Sequence, residues 1–243
     1  MPDQDFNLTY AENYLHWALG SGDKQLEMLH QSVASFIRGS SFVLELMSGT
    51  GLCAQACAQE RITVYDGVDI NQSAVDLALK TIAEVKNQHP PLVRFWTGDA
   101  RNSIPGYIRD RSEGHIRYET YDAVICNASH LLDDFSFGAV LRNLRAAAKP
   151  GAKFWVAQDC PTRLSRATET ELPPPDTTLA VNTSFDGESG SERARETSYL
   201  RSEDRLRKMV CAIFPDAEMS TLSLPDGTAD GYIVFSGETP SEN

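Results

Sequence analysis

The sequence predicts an α/β fold, a mostly parallel sheet with helices on both faces. Three observations carry that expectation. Short apolar runs alternate with segments of helical spacing from Ser41 to Gln158. The first apolar run stops at a glycine-rich turn, Met47-Ser-Gly-Thr-Gly51, and a helix-like segment starts at Leu52. After Leu172-Pro-Pro-Pro175 the pattern changes to that of an inserted hairpin. A strand, a tight turn and a helix in succession present a helix N-terminus and closely approachable backbone to a nucleotide-like ligand.

Each element follows from its spacing. Leu26, Leu29, Val33, Phe36 and Ile37 share one face, which predicts a helix over Lys24 to Ile37. Phe42 to Leu46 reads as the first strand, Leu52 to Gln59 as a helix and Ile62 to Asp69 as the second strand. Gln72 to Asn87 is a long helix, with Ala74, Leu77, Ala78, Ile82 and Val85 apolar, and Pro90-Pro91 interrupts the chain after it. Val93 to Thr97 is the third strand, Arg101 to Glu119 is polar and irregular, and Tyr121 to Cys126 is the fourth strand. Phe137 to Ala148 is a helix closed by Pro150-Gly151, and Lys153 to Gln158 is the fifth strand.

In the insertion, Leu179, Val181, Thr183 and Phe185 alternate over Thr177 to Phe185, and Arg193 to Leu200 returns antiparallel after Asp186-Gly187 and Ser189-Gly190. A helix over Ser202 to Phe214 carries Glu203 and Asp204 in its first turn. Strands over Ala217 to Leu224 and Tyr232 to Ser236 follow, joined around Pro225-Asp226-Gly227.

The 243 residues suffice for a substantial core, and 41% hydrophobic with 23% charged residues is ordinary for a globular protein. The net charge of −12 repels polyphosphate and anionic lipid, which argues against nucleic acid and membrane partners. Five cysteines occur without a CxxC pair, and they read as small buried hydrophobes in a reducing compartment, not as a metal site. The acidic, polar N-terminus is no signal peptide and no apolar run is long enough to span a membrane, so a cytoplasmic protein is expected.

The chemistry concentrates at strand ends. Gly49 and Gly51 permit positive φ and close backbone approach, and a methionine-type carboxylate suits the helix start behind them. Glu45 lies inside the motif, able to face an ammonium or to organise the turn. Asp69 ends the second strand, where an acid accepts from both ribose hydroxyls. Asp99, after Gly98, suits an exocyclic amine such as that of adenine. Each has a plainer reading: an ordinary turn, a helix N-terminal acid for Asp69, a loop-capping acid for Asp99. Asp66 takes only the plain one. Acids in these places attract amino and hydroxyl groups and repel phosphate, which points to S-adenosylmethionine (SAM) rather than to a dinucleotide.

These segments, with YDAVICNASHLLDD and LRAAAKPGA, make the chain similar to class I SAM-dependent methyltransferases from about Ser41 to Ser236. The resemblance implies a Rossmann-like three-layer sandwich. Its seven core strands would be ordered 3-2-1-4-5-7-6, with strand seven antiparallel in a reversed terminal hairpin. It also implies that SAM is held by Glu45, Met47, Gly49, Gly51, Asp69, Ile70, Asp99, Ala100 and Asn127. One departure stands out: the family often has glycine where this chain has Met47, so a side chain approaches the cofactor there. The expected organisation is a helical lid or cap over residues 1–40. A SAM-binding domain over residues 41–243 follows, with a substrate insertion at about 160–201.

Methyl transfer is an in-line displacement, and alignment of the acceptor supplies much of the rate. His130, after the fourth strand, is the candidate base, because an imidazole titrates near neutral pH; it equally suits a packing role. Asn127 can bond cofactor or substrate, and Asp133 and Asp134 read as acids that start a helix. Tyr10, Tyr14 and Trp17 suit either an aromatic lid over the sulfonium or a docked helix. Tyr199 is expected to line the pocket. Arg163, Arg166, Arg193, Arg195 and Arg201 form a basic hairpin that would recruit a carboxylate or stay solvated beside Glu169, Glu171, Glu188 and Glu192.

The leading expectation is a methyltransferase acting on a small-molecule metabolite, as a monomer or homodimer. No Asn-Pro-Pro-Tyr follows the fourth strand, which weakens base or protein amino-group methylation. Three alternatives stand beside it. One is use of SAM's aminopropyl group, by transfer or by internal cyclisation releasing methylthioadenosine. Another is a nicotinamide (NAD(P)-dependent) dehydrogenase, since Gly49-Thr-Gly51-Leu-Cys-Ala54 fits GxGxxA. The last is a non-catalytic binding protein.

Overall fold

The computed structural model describes residues 24–83, 91–102, 121–162, 165, 169–185, 194–223 and 230–240. Helix α1 (Lys24–Phe36) leads into β1 (Phe42–Leu46), α2 (Leu52–Cys57), β2 (Val64–Asp69), α3 (Gln72–Ala83) and β3 (Leu92–Thr97). Strand β4 (Tyr121–Cys126), a 3-10 turn (Ser129–Leu131), α4 (Asp134–Ala147) and β5 (Ala148–Asp159) follow. The hairpin β6 (Thr178–Phe185) and β7 (Ala194–Arg201) precedes α5 (Glu203–Cys211), β8 (Glu218–Ser223) and β9 (Asp230–Glu238).

The main sheet has seven strands ordered β3-β2-β1-β4-β5-β9-β8, and β6 and β7 form a separate two-stranded sheet. Strands β1 to β5 run parallel, while β9 is antiparallel to both neighbours, β5 and β8. The expected order of core strands and the reversed terminal pair are therefore present. All five parallel strands open their C-terminal ends on one edge. The order reverses between β1 and β4, and such a switch point leaves a crevice for a ligand.

Strand alternation sorts side chains between two apolar layers. Leu44, Leu46, Val68, Val124, Cys126, Phe154 and Val156 face α4 and α5, meeting Phe137, Val140, Leu141, Leu206 and Val210. Val43, Tyr65, Phe95, Ala123, Ile125 and Trp155 face the other layer, with Leu29, Val33 and Ile37 at α1 and Cys53, Ala54 and Cys57 on α2. Helix α1 thus packs into the sheet's own core. Tyr10, Tyr14 and Trp17 lie outside the described residues.

Two local expectations need correction. Helix α4 starts three residues before Phe137, because Asp133 caps it by accepting from the Ser136 N–H at 2.7 Å. Pro150-Gly151 does not separate helix from strand: β5 already begins at Ala148 and bulges there, with Gly151 at φ 71°. The bulge is tied by Thr239, whose hydroxyl donates to the Lys149 carbonyl at 2.7 Å and accepts from the Ala152 N–H at 3.0 Å.

Asp66 is also not an acid that starts a helix. It sits buried in mid-β2, held bidentately by Arg94 with both contacts at 2.7 Å and by the Tyr121 hydroxyl at 2.7 Å. The cap of α3 is Asn71, whose Oδ1 accepts from the N–H groups of Ser73 and Ala74 at 3.0 and 3.4 Å.

Candidate active site

The glycine turn winds through three left-handed residues: Met47 at φ 62°, Gly49 at 52° and Gly51 at 80°. Gly51 caps α2, and a Cβ there would come within 2.9 Å of the Ala78 Cβ on α3, so packing as well as φ demands glycine. Met47 has no such exemption. A non-glycine residue at this φ stores roughly 1–2 kcal/mol of strain.

Asp69 organises the cradle. Its Oδ2 accepts from the Gly49 N–H at 2.8 Å, its Oδ1 from the Asn71 N–H at 2.9 Å, and its carbonyl from the Gly98 N–H at 2.7 Å. One residue thereby ties the glycine turn, the start of α3 and the end of β3 together. Burial pushes its carboxyl above the usual range, and the backbone N–H donors oppose that rise. Each carboxylate oxygen keeps a further lone pair for a ligand hydroxyl. Ile70, next in the chain, is 52% exposed, an apolar face beside the acid.

The residues present fit SAM's polar groups. Ser48 Oγ and Thr50 Oγ1 in the turn and Asn71 Nδ2 at the start of α3 are buried without a partner among the described residues. Unpaired buried polar atoms cost about 1–3 kcal/mol each, which a ligand bearing carboxylate, ammonium and hydroxyl groups relieves.

Asp99 is drawn to Arg101, accepting from its backbone N–H at 2.9 Å and from its guanidinium at 2.6 Å. Its carboxyl lies below the usual range: burial opposes this, and the Arg101 contacts overcome it. This is the loop-capping arrangement, in a loop further held by Asn143 Nδ2, which donates to the carbonyls of Ala100 and Asn102 at 2.6 and 2.7 Å. Nothing in the spacing of α4 singled out Asn143.

Glu45 lies on the Val43 face of β1, directed into the α1–α2 layer. Only 2% exposed, it accepts from the Tyr65 hydroxyl at 2.6 Å and from Asn127 Nδ2 at 3.1 Å. Asn127 in turn accepts from Trp155 Nε1 at 3.1 Å and contacts Cys53 Sγ at 3.4 Å. The side chains of Glu45 and Asn127 thus support the turn from within the core, and any direct contact of Asn127 with a ligand falls to its backbone. Cys53 and Cys57, with sulfurs 3.9 Å apart, are buried free thiols. Among the described residues, no group of three His, Cys, Asp or Glu side chains is arranged to hold a metal.

Burial raises the Glu45 carboxyl from 4.5 to about 7, against the hydrogen bonds from Tyr65 and Asn127. The folded state therefore holds this proton longer than the unfolded chain does. The group's contribution is complete below its unfolded pKa and is lost as pH rises through the folded one. Between pH 4.5 and about 7 the loss is expected to reach roughly 3 kcal/mol. Urea unfolding of wild type and Glu45→Gln at pH 5 and pH 8 checks this: the variant should lose much of the pH dependence, and equal slopes would refute the assignment.

After β4, Ser129 Oγ donates to the Ala157 carbonyl at 2.9 Å, which fixes the 3-10 turn on β5. His130 follows, with Nε2 3.7 Å from Asp159 Oδ2 and Nδ1 buried without a partner among the described residues. Asp159 is the last residue of β5 and had escaped the sequence reading, because adjacency of the β4 and β5 ends is a property of the sheet.

Arg201 overturns the expectation that it recruits a substrate carboxylate. It is fully buried, with Nε 2.9 Å from Asp134 Oδ1 and Nη1 donating to the Ser129 carbonyl at 3.1 Å and to Gln158 Oε1 at 2.9 Å. Its Nη2 donates to the Leu132 carbonyl, and its guanidinium lies 4.7 Å from the Phe137 ring centroid. Burial lowers its pKa, and Asp134 opposes that. Asp134 also binds Arg205 Nε at 2.8 Å and the Thr178 hydroxyl at 2.9 Å, so the hairpin and α5 are pinned to the start of α4. Tyr199, half-buried on β7, pairs with Ala180. Arg163, Arg166, Arg193 and the Arg195 side chain lie outside the described residues.

Comparison with known proteins agrees with this geometry. Residues 44–154 match a family model described as a methyltransferase domain. No curated protein sequence matches the chain significantly. A SAM-dependent methyltransferase from Methanosarcina mazei is structurally similar, with TM-score 0.62 and 13% identity over 87% of this chain and 98% of that one. One from Clostridium acetobutylicum gives 0.60 and 13%, over 94% and 97%. SAM-bound CalS10, an amino pentose methyltransferase from Micromonospora echinaspora, gives 0.56 and 16%, over 92% and 95%. No helix among the described residues is long and apolar enough to cross a membrane.

Proposed function

We propose that the chain is a class I SAM-dependent methyltransferase that methylates a small-molecule acceptor, with His130 as general base, a reading supported by the methyltransferase-domain match over residues 44–154 and by the shared fold. Asp69 would hold the ribose hydroxyls. The backbone of Gly49 to Gly51, with the Ser48 and Thr50 hydroxyls, would take the methionine end. Ile70 would face the adenine, with Asp99 and Ala100 at its edge. SAM supplies an electrophilic methyl group on a sulfonium whose leaving group is a neutral thioether.

The observation that carries the reading is the layout of one sheet edge. The cradle ends β1, β2 and β3, and His130 and Asp159 end β4 and β5. The hairpin is anchored beside that edge by Arg201, which donates to the carbonyls of Ser129 and Leu132, and would cover the acceptor. A net charge of −12 favours a small acceptor over a nucleic acid. The hairpin would supply the acceptor wall, with Tyr199 among its side chains.

The test is release of S-adenosylhomocysteine from SAM across a panel of amines, phenols and carboxylic acids. His130→Ala is expected to lower kcat by about 10²–10⁴-fold while leaving affinity for S-adenosylhomocysteine unchanged. Equal loss in both would make His130 a binding or packing residue. A second reading, use of the aminopropyl group, draws on Met47, whose left-handed backbone places a side chain in the cofactor turn. Methylthioadenosine as product would select it.

A further inference from the structure

We propose that Asp159 is a positioning residue that holds His130 as its Nε2–H tautomer, leaving Nδ1 to receive the acceptor's proton. This rests on the methyl-transfer reading above.

The backbone of His130 is clamped on both sides. Arg201 donates to the carbonyls of Ser129 and Leu132, which bracket the segment, and Ser129 Oγ anchors it to the Ala157 carbonyl. Ala157 and Asp159 lie on the same face of β5, two residues apart, so the anchor that fixes the turn also sets its distance from Asp159. The ring then presents Nε2 to Asp159 Oδ2 at 3.7 Å and leaves Nδ1 buried and unpartnered among the described residues.

A neutral imidazole donates from one nitrogen and accepts at the other. A carboxylate only accepts, so the nitrogen beside it carries the hydrogen and Nδ1 keeps its lone pair. The 3.7 Å separation exceeds a formed hydrogen bond, and such contacts tighten when the reacting complex assembles. Among the described residues, other charged and titratable groups on the packed elements include Asp133, Asp134, Arg201 and Arg205, Lys149 and Lys153 towards the start of β5, and the phenols of Tyr199 on β7 and Tyr232 on β9. Asp134 is engaged by both arginines, and Tyr232 pairs with Asp159 across the β5–β9 register.

The step balances. The acceptor's lone pair forms the bond to the methyl carbon as the carbon–sulfur bond breaks, with its electrons going to sulfur. The acceptor's proton passes to His130 Nδ1, and Asp159 faces the resulting imidazolium. Asp159 acts through His130 in this step, so its role is positional.

Long-range nitrogen NMR of the histidine side chains tests this, with His130 assigned by difference from His130→Gln and with S-adenosylhomocysteine present. Wild type should show protonated Nε2 and unprotonated Nδ1. Asp159→Asn, whose amide can donate to Nε2, should shift the population toward Nδ1–H, and Asp159→Glu should retain the wild-type tautomer. An Nδ1–H tautomer in wild type, or no change in Asp159→Asn, overturns the proposal. If Asp159→Asn does not fold, the wild-type spectrum still decides the tautomer. Failure of wild type to bind S-adenosylhomocysteine in calorimetry would overturn the methyl-transfer reading, whatever the tautomer.

Discussion

Asp69→Ala is expected to weaken binding of S-adenosylhomocysteine by about 2–3 kcal/mol, or roughly 30- to 150-fold. Two losses add. The ribose hydroxyls would lose the acceptor proposed for them. The Gly49 and Asn71 N–H groups also lose theirs, at 2.8 and 2.9 Å, so the glycine turn is no longer tied to the end of β2. Asp69→Asn separates the two, since one oxygen remains to accept while the amide opposes an N–H. It should fall between wild type and alanine. Calorimetry on folded variants measures both, and undiminished affinity in Asp69→Ala would place the ribose elsewhere.

Arg201→Leu is expected to destabilise the fold by about 3–5 kcal/mol, the range for breaking a buried charged network. The carbonyls of Ser129 and Leu132 and Gln158 Oε1 would be left without their guanidinium donor. Asp134 keeps Arg205, so the loss comes chiefly from orphaned acceptors, not from a stranded carboxylate. Arg201→Lys should recover only part, because one ammonium cannot match the planar fork. Urea unfolding at constant pH gives the values. A loss under about 1 kcal/mol would mean that water replaces the guanidinium at little cost.

Much of this architecture was legible in the sequence because it rests on short-range pattern. Phe42 to Leu46 and Tyr121 to Cys126 are apolar runs bounded by turn residues, and both strands lie at the expected residues. Asp69 and Gly51 were legible as well, since a strand-end acid and a glycine turn are local signals. What stayed hidden depends on partners distant in sequence. Asp66 resembled any acid near a helix until Arg94 and Tyr121 were brought to it by β3 and β4. Arg201 resembled its solvated neighbours in a basic insertion, and only docking of the hairpin shows it buried. Glu45 sat in a ligand motif, and only the Tyr65 hydroxyl from β2 and Asn127 after β4 show its side chain held within a core layer.

The position of β9 between β5 and β8 has a consequence for biosynthesis. A ribosome delivers β1 to β5 first, and β9, the strand flanking Asp159, emerges after all of them. The Thr239 contacts that fasten the β5 bulge come later still. A nascent chain stalled before residue 230 therefore leaves an open, pairing-competent edge on β5.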